Sequence, residues 1–338
     1  MLAAAAAIVV APLHVVAQAP SHSAKPTTAA NQAKMAKAWT APLTADGQPD
    51  LQGIWTNATL TPFERPRELS GKEFFTEEEA AAFTRKVLEQ SNRDRRGASP
   101  QEDVGGAYNE AWFDRGTKVA SSLRTSIVVD PTDGRVPAPT PAAREAAAER
   151  AAIQRRPPEG PEDFPLPVRC ILWPTAGPPM VPGPYNNNYQ ILQTRDYVAI
   201  DVEMIHDLRI IPVDGRPHLP STVSRWMGDS IGHWEGDTLV VDTTNFTDKS
   251  HFRGSDQNLH VVERFTRIGV DTIRYRFTID DPTAFTKSWT GEIVMSRTAG
   301  PVYEYACHEG NYSLPFMLAG ARAQEKGEAG ESPRKRSK

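Results

Sequence analysis

Short runs of alternating apolar and polar residues dominate the second half of the chain. Between Tyr197 and Met204, for example, the even-numbered residues are apolar, whereas Asp201 and Glu203 are acidic. A period of two residues is typical of β-strands, because successive side chains point to opposite faces of a sheet. The pattern predicts about nine strands, over residues 189–194, 197–204, 207–213, 232–234, 238–245, 260–268, 272–279, 287–297 and 302–308.

The links between these predicted strands are short, and no helical pattern interrupts them. Hairpin-length links predict an antiparallel up-and-down meander. A meander of this length closes most simply into a barrel, because closure removes its edges and leaves a lumen for one ligand. We therefore expect a mainly β, lipocalin-like barrel. An open twisted sheet or a sandwich is the alternative.

The first half of the chain predicts an α-helical and irregular segment, residues 38–184, that covers a barrel domain of residues 185–321. A capping box of Thr76 and Glu79 begins one helix, and Thr140 followed by Pro141 begins a second helix on the surface. Residues 51–56 and 122–129 are short strand candidates. Residues 156–184 are rich in proline, which predicts a stiff, irregular loop or a linker.

Both ends of the chain lack the pattern of a folded domain. Residues 1–19 form an apolar stretch that ends in Ala17-Gln18-Ala19, as in a secretory signal peptide. We therefore expect a periplasmic or secreted protein, with a disordered alanine-rich tail as the alternative; the stretch is too short to span a membrane. No lysine or arginine precedes this apolar stretch, which indicates that residue 1 lies within a longer signal peptide. Residues 20–37 predict a flexible tether, and 322–338 a disordered tail.

Charge and motif content exclude several classes of function. The formal net charge is −4 and the isoelectric point is about 6.1, so no basic surface indicates nucleic-acid binding. The chain contains no HExxH, GxSxG, phosphate-binding-loop or dinucleotide-binding motif. We therefore expect no cofactor and no metal, and a small-molecule substrate or ligand as the partner.

Two cysteines, Cys170 and Cys307, stand far apart in the sequence. A disulfide between them is the favoured interpretation, because an exported protein folds in an oxidising compartment. A reactive Cys307 thiol beside His308, or two buried free thiols, are the alternatives.

Six of the eight histidines lie between residues 206 and 308, mostly beside carboxylates or arginine. Such pairs are suited to acid/base catalysis, because the usual pKa of histidine lies near neutrality. The alternative for each is a surface ion pair or a turn residue. The candidate catalytic residues are Glu203, His206, Asp207, His233 and His308.

A second group of residues suggests recognition of a polar ligand. Tyr185 and Asn187 belong to a run of three asparagines flanked by tyrosines and preceded by prolines, which presents many hydrogen-bonding groups on a stiff backbone. Asparagines that cap turns are the alternative. Arg209 and Trp234 complete the candidate substrate-binding residues; Trp234 alternatively closes one end of the barrel.

Several longer motifs resemble those of a large, uncharacterised family of exported bacterial proteins. The resemblance spans about residues 39–321 and implies export and one coherent domain, but it implies no activity and no catalytic residue. The motifs are PDLQGIW at 49–55, LWPTAGPP at 172–179, GPYNNNY at 183–189, EMIHD at 203–207, GHWEGDT at 232–238 and YACHEG at 305–310.

Together these features predict an exported enzyme that carries out elimination or hydration, isomerisation or hydrolysis on a small polar molecule. His206 would be the base, oriented by Glu203 or Asp207, and His233 or His308 the acid. Arg209 would hold an anionic or carbonyl oxygen of the substrate. The alternative is a lipocalin-like binding protein with an aromatic lumen, and a structural or adhesion role is a third, weaker hypothesis. The lumen residues would be Phe265, Tyr275, Phe277 and Trp289.

Overall fold

The structure is a computed structural model that describes residues 39–330 apart from 96, 98 and 107. The predicted signal peptide and tether, residues 1–37, and the end of the chain after residue 330 lie outside the described residues. No helix among the described residues is long and apolar enough to cross a membrane.

One antiparallel sheet contains all ten strands of the described chain. Along the sheet the order is β5-β4-β3-β1-β10-β9-β8-β7-β6, and β2 pairs with β10. Two meanders, β3 to β5 and β6 to β10, are therefore joined through β1. The strands are β1 (Gly53–Thr56), β2 (Val128–Asp130), β3 (Asn188–Gln193), β4 (Tyr197–Val202), β5 (Asp207–Pro212), β6 (Asp229–Glu235), β7 (Thr238–Thr244), β8 (His260–Gly269), β9 (Thr272–Asp280) and β10 (Trp289–Arg297).

The two outermost strands of this sheet, β5 and β6, lie against each other. A Cβ at Gly232 would come within 3.1 Å of the side chains of Ile211 and Val213, and the Arg209 guanidinium donates to the Ser230 hydroxyl across 3.4 Å. The sheet is thus nearly closed into a barrel, which confirms the predicted fold class.

Strands β1 and β2 lie within residues 38–184, close to the two predicted short strands, and belong to the barrel sheet. β1 pairs with both β3 and β10, and residues from Thr40 onward form one compact unit. Residues 302–308, predicted as the last strand, form none. The place beside β10 is taken by β1, and the backbone N–H of Tyr303 donates to the Glu203 side chain instead.

Four α-helices occur in the described residues: α1 (Glu77–Ser91), α2 (Pro100–Gly106), α3 (Pro141–Arg155) and α4 (Ser313–Gly330). The predicted capping box of Thr76 and Glu79 begins α1, and the Thr140 hydroxyl accepts from the Ala143 N–H at the start of α3. Helix α4 continues through Gly330, where a disordered tail from residue 322 was expected. Arg322 anchors it by donating to the backbone carbonyls of Pro158 and Glu159.

The interior of the barrel is filled with side chains. Large aromatic residues occupy it and are almost completely shielded from solvent, namely Trp55, Tyr189, Phe265, Tyr275, Phe277 and Trp289. This packing differs from the ligand lumen that we expected, because most inward positions of β8, β9 and β10 carry large side chains, four of them aromatic, that fill the interior.

The strand register defines two ends of the barrel. At the Asp207 end, β3, β5, β6, β8 and β10 begin and β1, β4, β7 and β9 end. The opposite Glu235 end carries the tight turn between β6 and β7.

A disulfide joins Cys170 to Cys307, which confirms the predicted pairing of the two cysteines and fits an oxidising compartment. The bond ties the proline-rich segment before β3 to the segment after β10.

Candidate functional site

The turn between β4 and β5 lies at the Asp207 end and has unusual backbone geometry. Ile205 and His206 have φ angles of 65° and 49°, in the left-handed region that β-branched and bulky residues rarely adopt. Strained backbone of this kind is concentrated at functional sites. The turn places Glu203, His206 and Asp207 in three different environments.

Glu203 is turned into the protein and is only 2% exposed. Its two carboxylate oxygens accept from the backbone N–H groups of Asn188, at 3.3 Å, and Tyr303, at 3.1 Å. Strict alternation would have placed Glu203 on the same outer face as Asp201, but the turn interrupts it. Glu203 therefore holds the start of β3 and the segment after β10 together.

Asp207 is the first residue of β5, and its side chain is partly buried. Burial raises the pKa of Asp207 to about 6, against an opposing effect of His206. Its Oδ2 atom is buried and has no hydrogen-bond partner among the described residues. A carboxyl group in such surroundings can keep its proton up to nearly neutral pH.

His206 is exposed, and its Nδ1 atom lies 2.9 Å from the carbonyl oxygen of Tyr305. A carbonyl oxygen only accepts, so Nδ1 must carry the hydrogen of this bond. In the neutral ring the proton-accepting nitrogen is therefore Nε2, which has no partner among the described residues. This arrangement fixes the tautomer that a general base requires.

A cavity of about 470 Å³ is lined in part by Asn186 and by Tyr305, the residue whose carbonyl oxygen accepts from His206. His206 and Asp207 themselves are not among its lining residues. Burial, together with the neighbouring Tyr185, raises the pKa of Tyr305 to about 12. Tyr185 in turn packs against Trp173, with ring centres 5.9 Å apart. Tyr305 is therefore a neutral hydrogen-bonding group.

The charge around this cavity is negative. Glu304 and Glu309 line it, and no lysine or arginine is among the lining residues. A substrate with a carboxylate or phosphate would be repelled, whereas neutral or cationic polar molecules would be accepted.

Two of the predicted substrate-binding residues are instead part of the scaffold. The Asn187 side chain is buried; it accepts from the Gly183 N–H at 2.7 Å and donates to the carbonyls of Asp114 and Gly183. Arg209 is buried inside the barrel and is paired with Glu263. Neither side chain is free to bind a substrate.

The other predicted residues are not brought to the turn. His233 lies on the outer face of β6 near the Glu235 end, where its Nε2 is 3.1 Å from Glu235. Trp234 faces inward near the same end and packs against the core. His308 is exposed in the segment after β10; its neighbours Cys307 and Glu309 line the cavity.

A second group of histidines was missed by sequence reasoning. His218 lies between two carboxylates, 3.0 Å from Asp229 and 3.0 Å from Asp242, and His260 lies 2.9 Å from the other oxygen of Asp242. The sequence offered only the pairing of Arg216 with His218 as a signal. No group of three or more histidine, cysteine or acidic residues in the described part of the chain is arranged to hold a metal ion.

Comparison of the chain with protein-family models, with curated proteins and with solved structures found no match. The functional interpretation therefore depends on the geometry of the site itself.

Proposed function

We propose that the protein is an exported enzyme that carries out acid/base chemistry on a small, polar, neutral or cationic molecule. His206 acts as the base through Nε2, and Asp207 acts as the acid. The reaction class is elimination or hydration, isomerisation or hydrolysis. The observation that carries the proposal is the adjacency of these two groups in a strained turn that is hydrogen-bonded to Tyr305, one of the residues that line a polar cavity.

The two residues have complementary environments. The exposed His206 imidazole is held in one tautomer by Tyr305, and the partly buried Asp207 carboxyl has a raised pKa of about 6. Pairs of titratable groups in contrasting surroundings are typical of acid/base active sites. Asn186 and Tyr305, which line the cavity, supply uncharged hydrogen-bonding groups.

The substrate class follows from the charge of the cavity. Because Glu304 and Glu309 line it and Arg209 is paired inside the barrel, an anionic substrate is disfavoured. The lipocalin-like carrier has less support, because the proposed lumen residues Phe265, Tyr275, Phe277 and Trp289 are packed together in the core.

Proton exchange offers a test that does not require the natural substrate. A panel of neutral hydroxyketones and of uncharged esters would be incubated with the protein in D₂O and followed by NMR, which reports exchange beside the carbonyl, elimination and hydrolysis. We expect turnover of at least one compound, and a decrease of about 10²- to 10⁴-fold for His206→Ala and for Asp207→Asn.

His233→Ala is the matched control, because His233 also lies beside a carboxylate but at the Glu235 end. It should retain the wild-type rate. Wild-type rates for both His206→Ala and Asp207→Asn, or loss of turnover in His233→Ala alone, would exclude the proposed site. Failure of the wild-type protein to convert any compound would count against the proposed substrate class.

A further inference from the structure

A second cavity, of about 510 Å³, lies next to the proline-rich segment before β3. Pro167 is common to the walls of both large cavities, so the two are neighbours at this part of the chain. The walls of the second cavity are largely apolar. They include Ile153 of α3 together with Phe164, Leu166 and Trp226.

A narrow cavity of about 30 Å³ adjoins it and is lined in part by the aromatic side chains of Trp173 and Phe252. Trp226 and His251 line both cavities. An apolar or aromatic group that enters the larger cavity would therefore contact the Trp226 indole.

Two polar side chains at this cavity, Arg150 and His251, have no ion-pair or side-chain hydrogen-bond partner among the described residues. Arg150 of α3 is partly buried and has no carboxylate partner among the described residues. His251 is exposed at the rim of the cavity and has no side-chain hydrogen bond within the described chain. Partial desolvation lowers the pKa of His251 and the charge of Arg150 lowers it further, against the opposing effect of Asp256 and Asp248, so His251 is a neutral group near Arg150.

The acidic residues of the wall are mostly engaged elsewhere. Asp163 accepts from the Glu159 N–H at 2.7 Å and from Arg156 at 3.3 Å. Glu162 lies 3.9 Å from Arg169. Among the other charged residues of the wall, Lys249 and Asp248 are both exposed. Arg150 is therefore a partly buried guanidinium without a carboxylate partner in the described part of the chain.

We propose that this cavity binds a small molecule with an aromatic body and one carboxylate. The ring packs against Trp226, the carboxylate pairs with Arg150 and Lys249, and the neutral imidazole of His251 donates one hydrogen bond. An unpaired, partly buried guanidinium binds a carboxylate well, because two parallel N–H groups match its two oxygens. This site is separate from the turn at His206 and takes the opposite charge of ligand.

Indole-3-acetate and its uncharged analogue indole-3-acetamide form a matched pair of probes. Calorimetric titration of the protein should show binding of the acid at least about tenfold tighter than the amide. Arg150→Met should remove this difference and leave amide binding unchanged. Trp226→Ala should weaken binding of both compounds; Trp226 is about a third exposed, so its removal does not empty the core.

Arg144→Met is the control, since Arg144 lies on the same helix but is exposed and donates to the Pro139 carbonyl outside the cavity. It should bind both probes as the wild-type protein does. Equal affinity for acid and amide, an unchanged preference in Arg150→Met, or binding of neither probe would overturn the proposal. Because the probes do not involve His206, loss of the proposed enzyme activity would leave these results unaffected.

Discussion

Arg209 and Glu263 form a two-point ion pair across the interior of the barrel. Arg209 Nη1 donates to Oε1 at 3.0 Å and Nη2 donates to Oε2 at 2.5 Å. Both side chains are buried. The Tyr275 hydroxyl also donates to Glu263 Oε1, at 2.8 Å, and accepts from the Met180 N–H. The pair connects β5 to β8, which are not neighbours in the sheet, and so draws the outermost strand toward the centre of the barrel.

Removal of one partner of this pair should destabilise the protein strongly. Arg209→Met leaves the Glu263 carboxylate buried without its counter-charge, and we expect the free energy of unfolding to fall by about 3–5 kcal/mol. Urea denaturation measures this change in the free energy of unfolding. Arg209→Met/Glu263→Met should recover most of the loss. Arg264→Met is the control, because Arg264 pairs with Glu235 on the exposed face of β8; equal losses in Arg209→Met and Arg264→Met would contradict the interpretation.

Asp207→Asn should make the protein more stable at neutral pH while abolishing the proposed activity. The folded-state pKa of Asp207 is raised from 3.8 to about 6, so ionisation of this carboxyl costs stability as the pH rises from about 4 to 6. The gain in unfolding free energy above pH 6 should be at most about 3 kcal/mol, and it should vanish below pH 4. Denaturation curves at several pH values test this; a variant less stable than wild type at pH 7 would exclude an ionised, poorly solvated Asp207.

The Asp242–His260 pair should stabilise the protein within a limited pH window. The hydrogen bond from His260 lowers the pKa of Asp242 and raises that of His260. The stabilisation that Asp242 contributes is fully present above the pKa of Asp242 in the unfolded chain, near 3.8. It is lost as the pH falls through the lowered pKa of Asp242 in the folded protein. The His260 contribution is present below its unfolded pKa, near 6.5, and is lost as the pH rises through its raised folded pKa.

The measurement is the free energy of unfolding against pH for the wild-type protein and for His260→Gln. The side chains of Asp242 and His260 are about one third exposed. The difference in unfolding free energy between the wild-type protein and His260→Gln should therefore be below about 1 kcal/mol. It should be largest between about pH 4 and 6.5 and decrease on either side. His218 and Asp229 adjoin the pair, and Asp280 also acts on His260. Parallel curves for wild type and variant would show that the pair does not titrate as described.

Removal of the disulfide should destabilise the protein by about 5 kcal/mol in the chain-entropy description, because it closes a loop between residues 137 positions apart. Cys170→Ser/Cys307→Ser is compared with wild type by thermal and urea denaturation, with and without reductant. Reductant should bring the wild-type protein to the stability of the variant. Equal stability of oxidised and reduced wild type would contradict this role.

Local patterns in the sequence predicted the elements that depend on neighbouring residues. The capping box at Thr76 and Glu79 and the cap at Thr140 act within three or four residues, so composition and spacing are sufficient to locate them. The period of two located β3 to β10, because one face of each strand is buried. Short links between these strands then predicted the antiparallel sheet.

The tertiary structure decided which residues meet, since those contacts join distant parts of the chain. β1 is four residues long and gains its place only by pairing with β3 and β10. Alternation placed Glu203 with Asp201, but β4 ends at Val202 and Glu203 adopts helical backbone angles, so its side chain turns inward.

What the sequence by itself determined is the β-rich character, two helix starts, the disulfide partners and the histidine-rich region. What only the tertiary structure decided is the use of each polar side chain. Arg209 and Asn187 are hydrogen-bonded inside the protein, His233 lies at the far end of the barrel, and His206 and Asp207 remain together. The physical reason is barrel closure: it fixes both the inward face and the end at which each residue lies, and neither follows from the spacing of residues along the chain.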